Sequence, residues 1–204
     1  MRVTAVVPLD KRRSKVLLDQ DFAFVLYTGE RRRYRIEEGA ELSEETWREI
    51  RDQVLAGRAK ERALYLLERC GRTEREIAQK LQEGMYPPEV IRDTLEGLKR
   101  LGLLDDEQYG RQYIDAYREK RSRKRLCRDL QQKGLSPELI RRLLEEEPVD
   151  EDRQIRTFLQ KKGYDRETWT RQEKGKLAAA LARKGFSWEA VYRMLGGDGE
   201  DGDF

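Results

Sequence analysis

Histidine is absent from all 204 residues. With it go Ser-His-Asp and Cys-His catalysis, and the commonest metal ligand. Cysteine occurs twice, as Cys70 and Cys127. Thiols so far apart match neither a CxxC redox motif nor a zinc-ligand spacing, so two buried thiols in a reducing, cytoplasmic setting are expected. No apolar run approaches the roughly 18 residues of a membrane span, so no membrane contact is expected. Met1 to Pro8 carries no h-region long enough for a secretory signal. Gly97-Leu-Lys-Arg-Leu-Gly102 has the glycine spacing of a phosphate loop, but Leu103-Leu104 stand where Lys-Ser/Thr must be. No nucleophile elbow and no dinucleotide fingerprint occurs. No catalytic residue, metal or cofactor is therefore expected, and the chain reads as a non-enzyme.

Apolar residues are scarce at 37%, while charged residues reach 41% against the ordinary quarter. That balance suits several thin helical units, each with a narrow apolar stripe, better than one thick core. The net charge is only +3. No global field implies nucleic acid, and any such argument must be local.

Residues 2–27 read as strands. Val3, Ala5 and Val7 alternate, and two short apolar runs follow, Lys15–Asp19 and Phe22–Leu26, with Asp19-Gln20-Asp21 as the turn between them. Tyr34-Arg35-Ile36 reads as a further strand. From Leu42-Ser43-Glu44-Glu45 the pattern is helical, with Trp47, Ile50 and Val54 at helical spacing.

Beyond residue 58 no strand is expected, and a repeat emerges. Three segments align without gaps: Leu81 to Ile91, Leu130 to Ile140, and Leu181 to Val191. Ile77, Leu126 and Leu177 correspond one turn upstream, and Leu95, Leu144 and Leu195 downstream. The period is about fifty residues. In each copy a helix ends near a glycine, a cap follows (Ser136, Ser187) with Pro88 or Pro137 at the first helical position, and a second helix starts on Glu. Thr73-Glu74-Arg75-Glu76 is a capping box. Arg62–Arg69, Glu107–Arg118 and Arg153–Lys161 leave room for a third helix per copy. The expected division is a β-rich element with a short helix (1–56), three-helix units over 57–104, 105–147 and 148–196, and an acidic disordered tail (197–204). Glu145 to Asp152 reads as an acidic, solubilising joint between the second and third units.

Leu104-Asp105-Asp106-Glu107 looks like a carboxylate cluster. Successive helical residues point about 100° apart, so they do not converge on a metal, and a helix cap is expected. Tyr109, Tyr113 and Tyr117 recur at i+4, which favours core packing over base stacking.

The densest charge lies between Tyr117 and Leu126. Drawn as one helix, Arg118, Arg121, Arg125 and Arg128 share a face. Like charges so arranged repel, which favours an anionic partner over a merely solvated surface. The candidate binding residues are Arg118, Lys120, Arg121, Arg123, Lys124, Arg125 and Arg128. Five phosphate contacts there would give a log–log salt slope of roughly −4. Arg31, Arg32, Arg33 and Arg35 form a secondary basic run. In a strand its residues would alternate faces, so binding and a plain solvated surface stand level.

The order of these features resembles the RecX family, bacterial regulators of the RecA recombinase. Leu104-Asp105-Asp106, Tyr109, Tyr113-Ile114, the basic Arg121 to Lys124, Arg125-Leu126 and Asp129-Leu130-Gln131-Gln132-Lys133-Gly134-Leu135 carry the likeness. Lys15 to Phe24 is similar to the β-rich leader of longer members. The resemblance implies a mainly α fold of tandem three-helix repeats in a curved, elongated array with a small N-terminal β-rich element. It implies a monomeric, non-enzymatic modulator that binds RecA filaments and single- or double-stranded DNA, and inhibits ATPase, strand exchange and coprotease activity. The rival reading is an independent helix-turn-helix-like transcription regulator.

Overall fold

The computed structural model describes residues 1–19 and 23–196. The turn residues Gln20 and Asp21, the start of the second apolar run at Phe22 and the acidic tail lie outside the described residues.

Three strands form an antiparallel meander in the order β1 (Val3–Pro8), β2 (Arg13–Leu18), β3 (Ala23–Tyr27). Val16 of β2 stands between Val6 and Phe24, and a bulge falls between Val3 and Ala5. One face is apolar: Val16, Leu18, Phe24 and Leu26 are buried, while their neighbours are half-exposed. The expected strand at Tyr34–Ile36 does not form. The chain turns into a short helix, α1 (Thr28–Arg33), and leaves it through Tyr34 and a left-handed Arg35 (φ 52°). The cause is local: the Glu30 carboxylate accepts the Tyr27 N–H at 2.7 Å and closes the first turn.

Helix α2 (Glu44–Glu49), capped by Ser43, runs through a π-helical stretch (Ile50–Leu55) into α3 (Ala56–Arg69). Trp47, Ile50 and Leu55 project onto the sheet, with Trp47 5.1 Å from the Phe24 ring. The sheet therefore shares one core with α3, α4 (Glu74–Glu83) and α5 (Pro88–Arg100), and that core extends to Leu104.

Two further triplets follow: α6 (Asp106–Tyr117), α7 (Arg123–Lys133) and α8 (Pro137–Glu146), then α9 (Glu151–Lys161), α10 (Arg171–Arg183) and α11 (Trp188–Leu195). Each has its own apolar cluster. The repeated positions carry these cores. Leu81, Leu130 and Leu181 are fully buried, and so are Ile77 and Leu126. Leu177, Leu95, Leu144 and Leu195 are buried too. The caps form as well. Thr73 and Glu76 make a reciprocal capping box, and Ser136 and Ser187 accept the N–H groups of Leu139 and Ala190, both at 3.2 Å. Thr170 and Glu173 add a second capping box ahead of α10.

The residue four places after the repeated leucine differs among the copies. Gly134 (φ 99°) and Gly185 (φ 93°) take the left-handed conformation that ends a helix without a Cβ penalty. Met85 (φ 57°) occupies the equivalent place in the first copy. By backbone proximity the chain forms two compact units, Met1–Asp105 and a second beginning at Asp106. No helix of the described residues is long and apolar enough to cross a membrane.

Candidate functional site

The basic run does not form one helix. Helix α6 ends at Tyr117, whose carbonyl accepts the N–H groups of Lys120 and Arg121 at 2.9 and 3.0 Å. Ser122 then takes extended geometry and caps α7, its Oγ accepting the Arg125 N–H at 3.3 Å. Ser122 is buried, and the same hydroxyl donates to the Lys184 carbonyl at 2.9 Å, which joins the second triplet to the third. The single face drawn through Arg118, Arg121, Arg125 and Arg128 is therefore broken between its first and second halves.

Much of the positive charge is consumed internally. Asp129 is only 6% exposed, and it receives Arg121 at 2.6 Å and Arg125 at 3.0 Å. An isolated buried carboxylate would be costly, so these two arginines are conditions of the fold. Arg121 also hydrogen-bonds the Tyr113 hydroxyl and lies 3.9 Å from the Tyr117 ring centre. Burial, backed by the Asp129 charge, pushes the Tyr113 phenol up from its ordinary value. Tyr109, Tyr113 and Tyr117 line up in ring contact against the core of this triplet.

The acidic joint absorbs more of the charge, so it is not a free solubilising linker. Arg118 pairs with Asp115 at 3.1 Å and Glu147 at 3.7 Å. Arg111 pairs with Glu107 at 2.8 Å and Glu146 at 2.6 Å. Helix α7 opens with Arg123, Lys124 and Arg125 and has no acid in its first turn, which opposes its own dipole. Glu151 supplies the missing carboxylate by accepting the Arg123 N–H at 2.8 Å. The Arg123 guanidinium turns to the Leu144 carbonyl at the end of α8, 3.2 Å away. Asp150 caps α9, and Asp152 pairs with Arg193 at 2.6 Å.

Three of the seven candidate residues remain. Lys120, Lys124 and Arg128 are exposed and have no acidic partner among the described residues. Lys124 and Arg128 border a groove of about 550 Å³ between α7 and α8, floored by Ile140 and Leu144. Arg141 enters the same groove from α8. It was invisible to a search for runs, because its neighbours in sequence include Leu139, Ile140 and Leu143. Its signal was the register of α8: it falls one turn after Pro137, on the flank of the buried Ile140–Leu144 stripe.

The secondary basic run is dispersed. Arg31 reaches Ser14 Oγ at 3.1 Å, Arg33 pairs with Glu49 at 3.2 Å, and Arg32 and Arg35 are exposed. The two cysteines are free thiols, but Cys70 is exposed and Cys127 half-buried, against the expectation of burial. Cys70 follows the last residue of α3, where the chain leaves the helix in extended geometry.

Comparison with known proteins gives a consistent picture. Models of the first, second and third three-helix domains of RecX match residues 59–98, 105–144 and 149–195. The regulatory protein RecX of Caldanaerobacter subterraneus subsp. tengcongensis is 26% identical, covering 96% of this chain and 98% of that protein. That of Leuconostoc citreum is 28% identical over 96% of this chain and 76% of its own length. A crystal structure of a regulatory protein RecX superposes with a TM-score of 0.63 at 26% identity, covering 97% and 99% of the two chains. The RecX of Lactobacillus salivarius shares the fold, with a TM-score of 0.58 at 19% identity over 69% of this chain and 94% of that one.

Proposed function

Because the chain belongs to the RecX family of regulatory proteins, with all three of its helical domains matched, we propose that it is a non-enzymatic regulator of the RecA recombinase. In this reading it binds RecA and its filament on DNA, and lowers the filament's ATPase, strand-exchange and coprotease activities. The observation that carries the binding half is the set of cations Lys120, Lys124 and Arg128, exposed on the second domain without acidic partners among the described residues, the last two beside Arg141. Unpaired cations are the groups that release counterions when they meet phosphate. The other four candidates, Arg118, Arg121, Arg123 and Arg125, are engaged by acids or a backbone carbonyl of the protein, although Arg123 also lines the groove.

An independent, base-reading transcription regulator has less support. In α5, Arg92 pairs with the adjacent Asp93 at 3.2 Å and Thr94 is buried. In α11, Arg193 is tied to Asp152 and Tyr192 stacks on Trp188. Those side chains already have partners within the protein, which leaves few groups free to read base edges.

The test is the ATPase rate of RecA on single-stranded DNA, titrated with this protein well below one per recombinase. A steep fall at such ratios is expected. An unchanged rate with demonstrably folded protein would refute the proposal.

A further inference from the structure

A second basic surface lies in the N-terminal unit, outside every segment singled out by the density of charge in sequence. It is an open groove of about 800 Å³ between β3, α3 and the end of α4. Helix α3 presents Arg58, Arg62, Tyr65 and Arg69 at spacings of four, three and four, which is one helical face. Arg72 joins from the turn after α3, and Tyr27 and Tyr86 close the walls. Six cations line the groove, against one lining carboxylate, Glu83.

Half of those cations are neutralised. Arg13 pairs with Asp10 at 2.7 Å, Lys80 with Glu83 at 2.6 Å, and Arg58 with Glu30 at 3.4 Å. Arg58 also donates to the Val25 carbonyl at 2.6 Å and lies over the Tyr27 ring, so it serves as wall. Arg62, Arg69 and Arg72 have no carboxylate partner among the described residues. The first two flank the Tyr65 ring at 5.6 and 4.7 Å. The Arg72 Nε is buried with no hydrogen-bond partner. A buried donor left so is normally satisfied by something that enters the site. Tyr65 is 43% exposed and Tyr27 42%, high for aromatic rings beside a polar groove.

We propose that this groove binds single-stranded nucleic acid, with backbone phosphates held by Arg62, Arg69 and Arg72 and a base stacked on Tyr65. Unpaired guanidinium groups interleaved with exposed aromatic rings are the two parts a strand with unstacked bases requires, whereas a duplex keeps its base faces covered. An acidic protein segment would use the arginines and leave the tyrosines idle. The proposal goes beyond the regulator reading, because the groove and the free cations of the second domain belong to different units.

The experiment is fluorescence anisotropy of the full chain with a labelled 15-nucleotide oligothymidylate and with a duplex of equal length, over a salt series. The Arg62→Ser/Arg69→Ser/Arg72→Ser variant should bind the single strand at least about tenfold more weakly, and its log–log salt slope should be shallower by about 2. Tyr65→Ala should weaken single-strand binding by about tenfold at unchanged slope and spare the duplex, while Tyr65→Phe, which keeps the stacking face, binds as the parent. Thermal melting of each variant establishes that it is folded. Lys120→Ser/Lys124→Ser/Arg128→Ser serves as a variant of the other surface, so loss of the regulator activity and loss of this groove are read apart. Parental single-strand affinity in the folded arginine and Tyr65→Ala variants would overturn the proposal. Equal loss on strand and duplex with no effect of Tyr65→Ala would overturn it in favour of plain electrostatic attraction. Displacement of the oligonucleotide by poly-glutamate at matched charge would assign the groove to an acidic protein partner.

Discussion

Between Tyr117 and Arg128 positive charge is dense in sequence, yet four of its seven cations are engaged within the fold. Around Tyr65 it is spread at helical spacing instead of in a run, and half of the groove's cations have no carboxylate partner among the described residues. The difference lies in where the acids are. Asp129, Glu147 and Glu151 come back onto the dense run and claim Arg121, Arg125, Arg118 and the Arg123 N–H. In the N-terminal groove Asp10, Glu30 and Glu83 reach only Arg13, Arg58 and Lys80. Charge available to a partner is therefore set by three-dimensional pairing, and a run of Lys and Arg in sequence is a poor measure of it.

The largest expected effect separates the ion-paired cations of the second domain from free ones. Asp129→Ala leaves Arg121 and Arg125 facing one another without their carboxylate, and should lower unfolding stability by about 2–3 kcal/mol, discounted from a fully buried pair because Arg125 is half-exposed. Chemical denaturation checks this. Arg121→Ser with Arg125→Ser should be similarly damaging, because it strands Asp129 instead. Arg62→Ser in the groove, with no carboxylate to strand, should change stability by less than about 0.5 kcal/mol. If both classes cost the same, the distinction collapses.

A second contrast concerns the two halves of the run in binding. Lys120→Ser/Lys124→Ser/Arg128→Ser should leave melting unchanged and reduce the salt slope of DNA binding by about 2 to 3, which the salt dependence of duplex affinity measures. A slope of roughly −2 left in this variant would show that the paired arginines also reach phosphate.

The helix ends sharpen the comparison of the repeats. Gly134→Ala places a Cβ at φ 99° and should cost about 1 kcal/mol, whereas Met85→Gly removes one at φ 57° and should raise stability by about 0.5 kcal/mol. Equal and opposite melting shifts in the two variants would show that the strain is the same in both copies.

The smallest effect is on acid stability. Hydrogen bonds from Arg111, then from Arg142, hold the Glu107 carboxyl below the usual range. A lowered folded value means its contribution is present above the ordinary glutamate pKa and is lost as the pH falls through the lowered one. Stability of the parent should therefore decline more steeply below about pH 4 than that of Glu107→Gln. Parallel curves would remove Glu107 from the account.

The helical skeleton was legible in sequence because its causes are local or periodic. Leu81, Leu130 and Leu181 announce themselves by spacing, and Thr73, Ser136 and Ser187 by cap chemistry. The helix at Thr28–Arg33 was not, because Arg-rich residues fit a strand as well, and the deciding contact is Glu30 closing the turn on Tyr27. The break at Ser122 was hidden for a similar reason. No glycine or proline marks it, and the serine is held by Lys184, far along the chain. Of the candidate site, sequence density marked a region but could not say which cations were free, because that depends on which of them the fold turns toward Asp129, Glu147 and the Leu144 carbonyl. The groove had a readable trace in Arg58, Arg62, Tyr65 and Arg69, one face of α3, but a search for consecutive charges passes over charges spread at helical spacing.

The most direct test of the account is RecA ATPase inhibition by the Lys120→Ser/Lys124→Ser/Arg128→Ser variant, compared with the parent at equal, verified folding. The account predicts that the concentration for half-inhibition rises by at least about tenfold while the melting curve is unchanged. Inhibition at the parental concentration would contradict it, and would show that the free cations of the second domain are not what the filament meets.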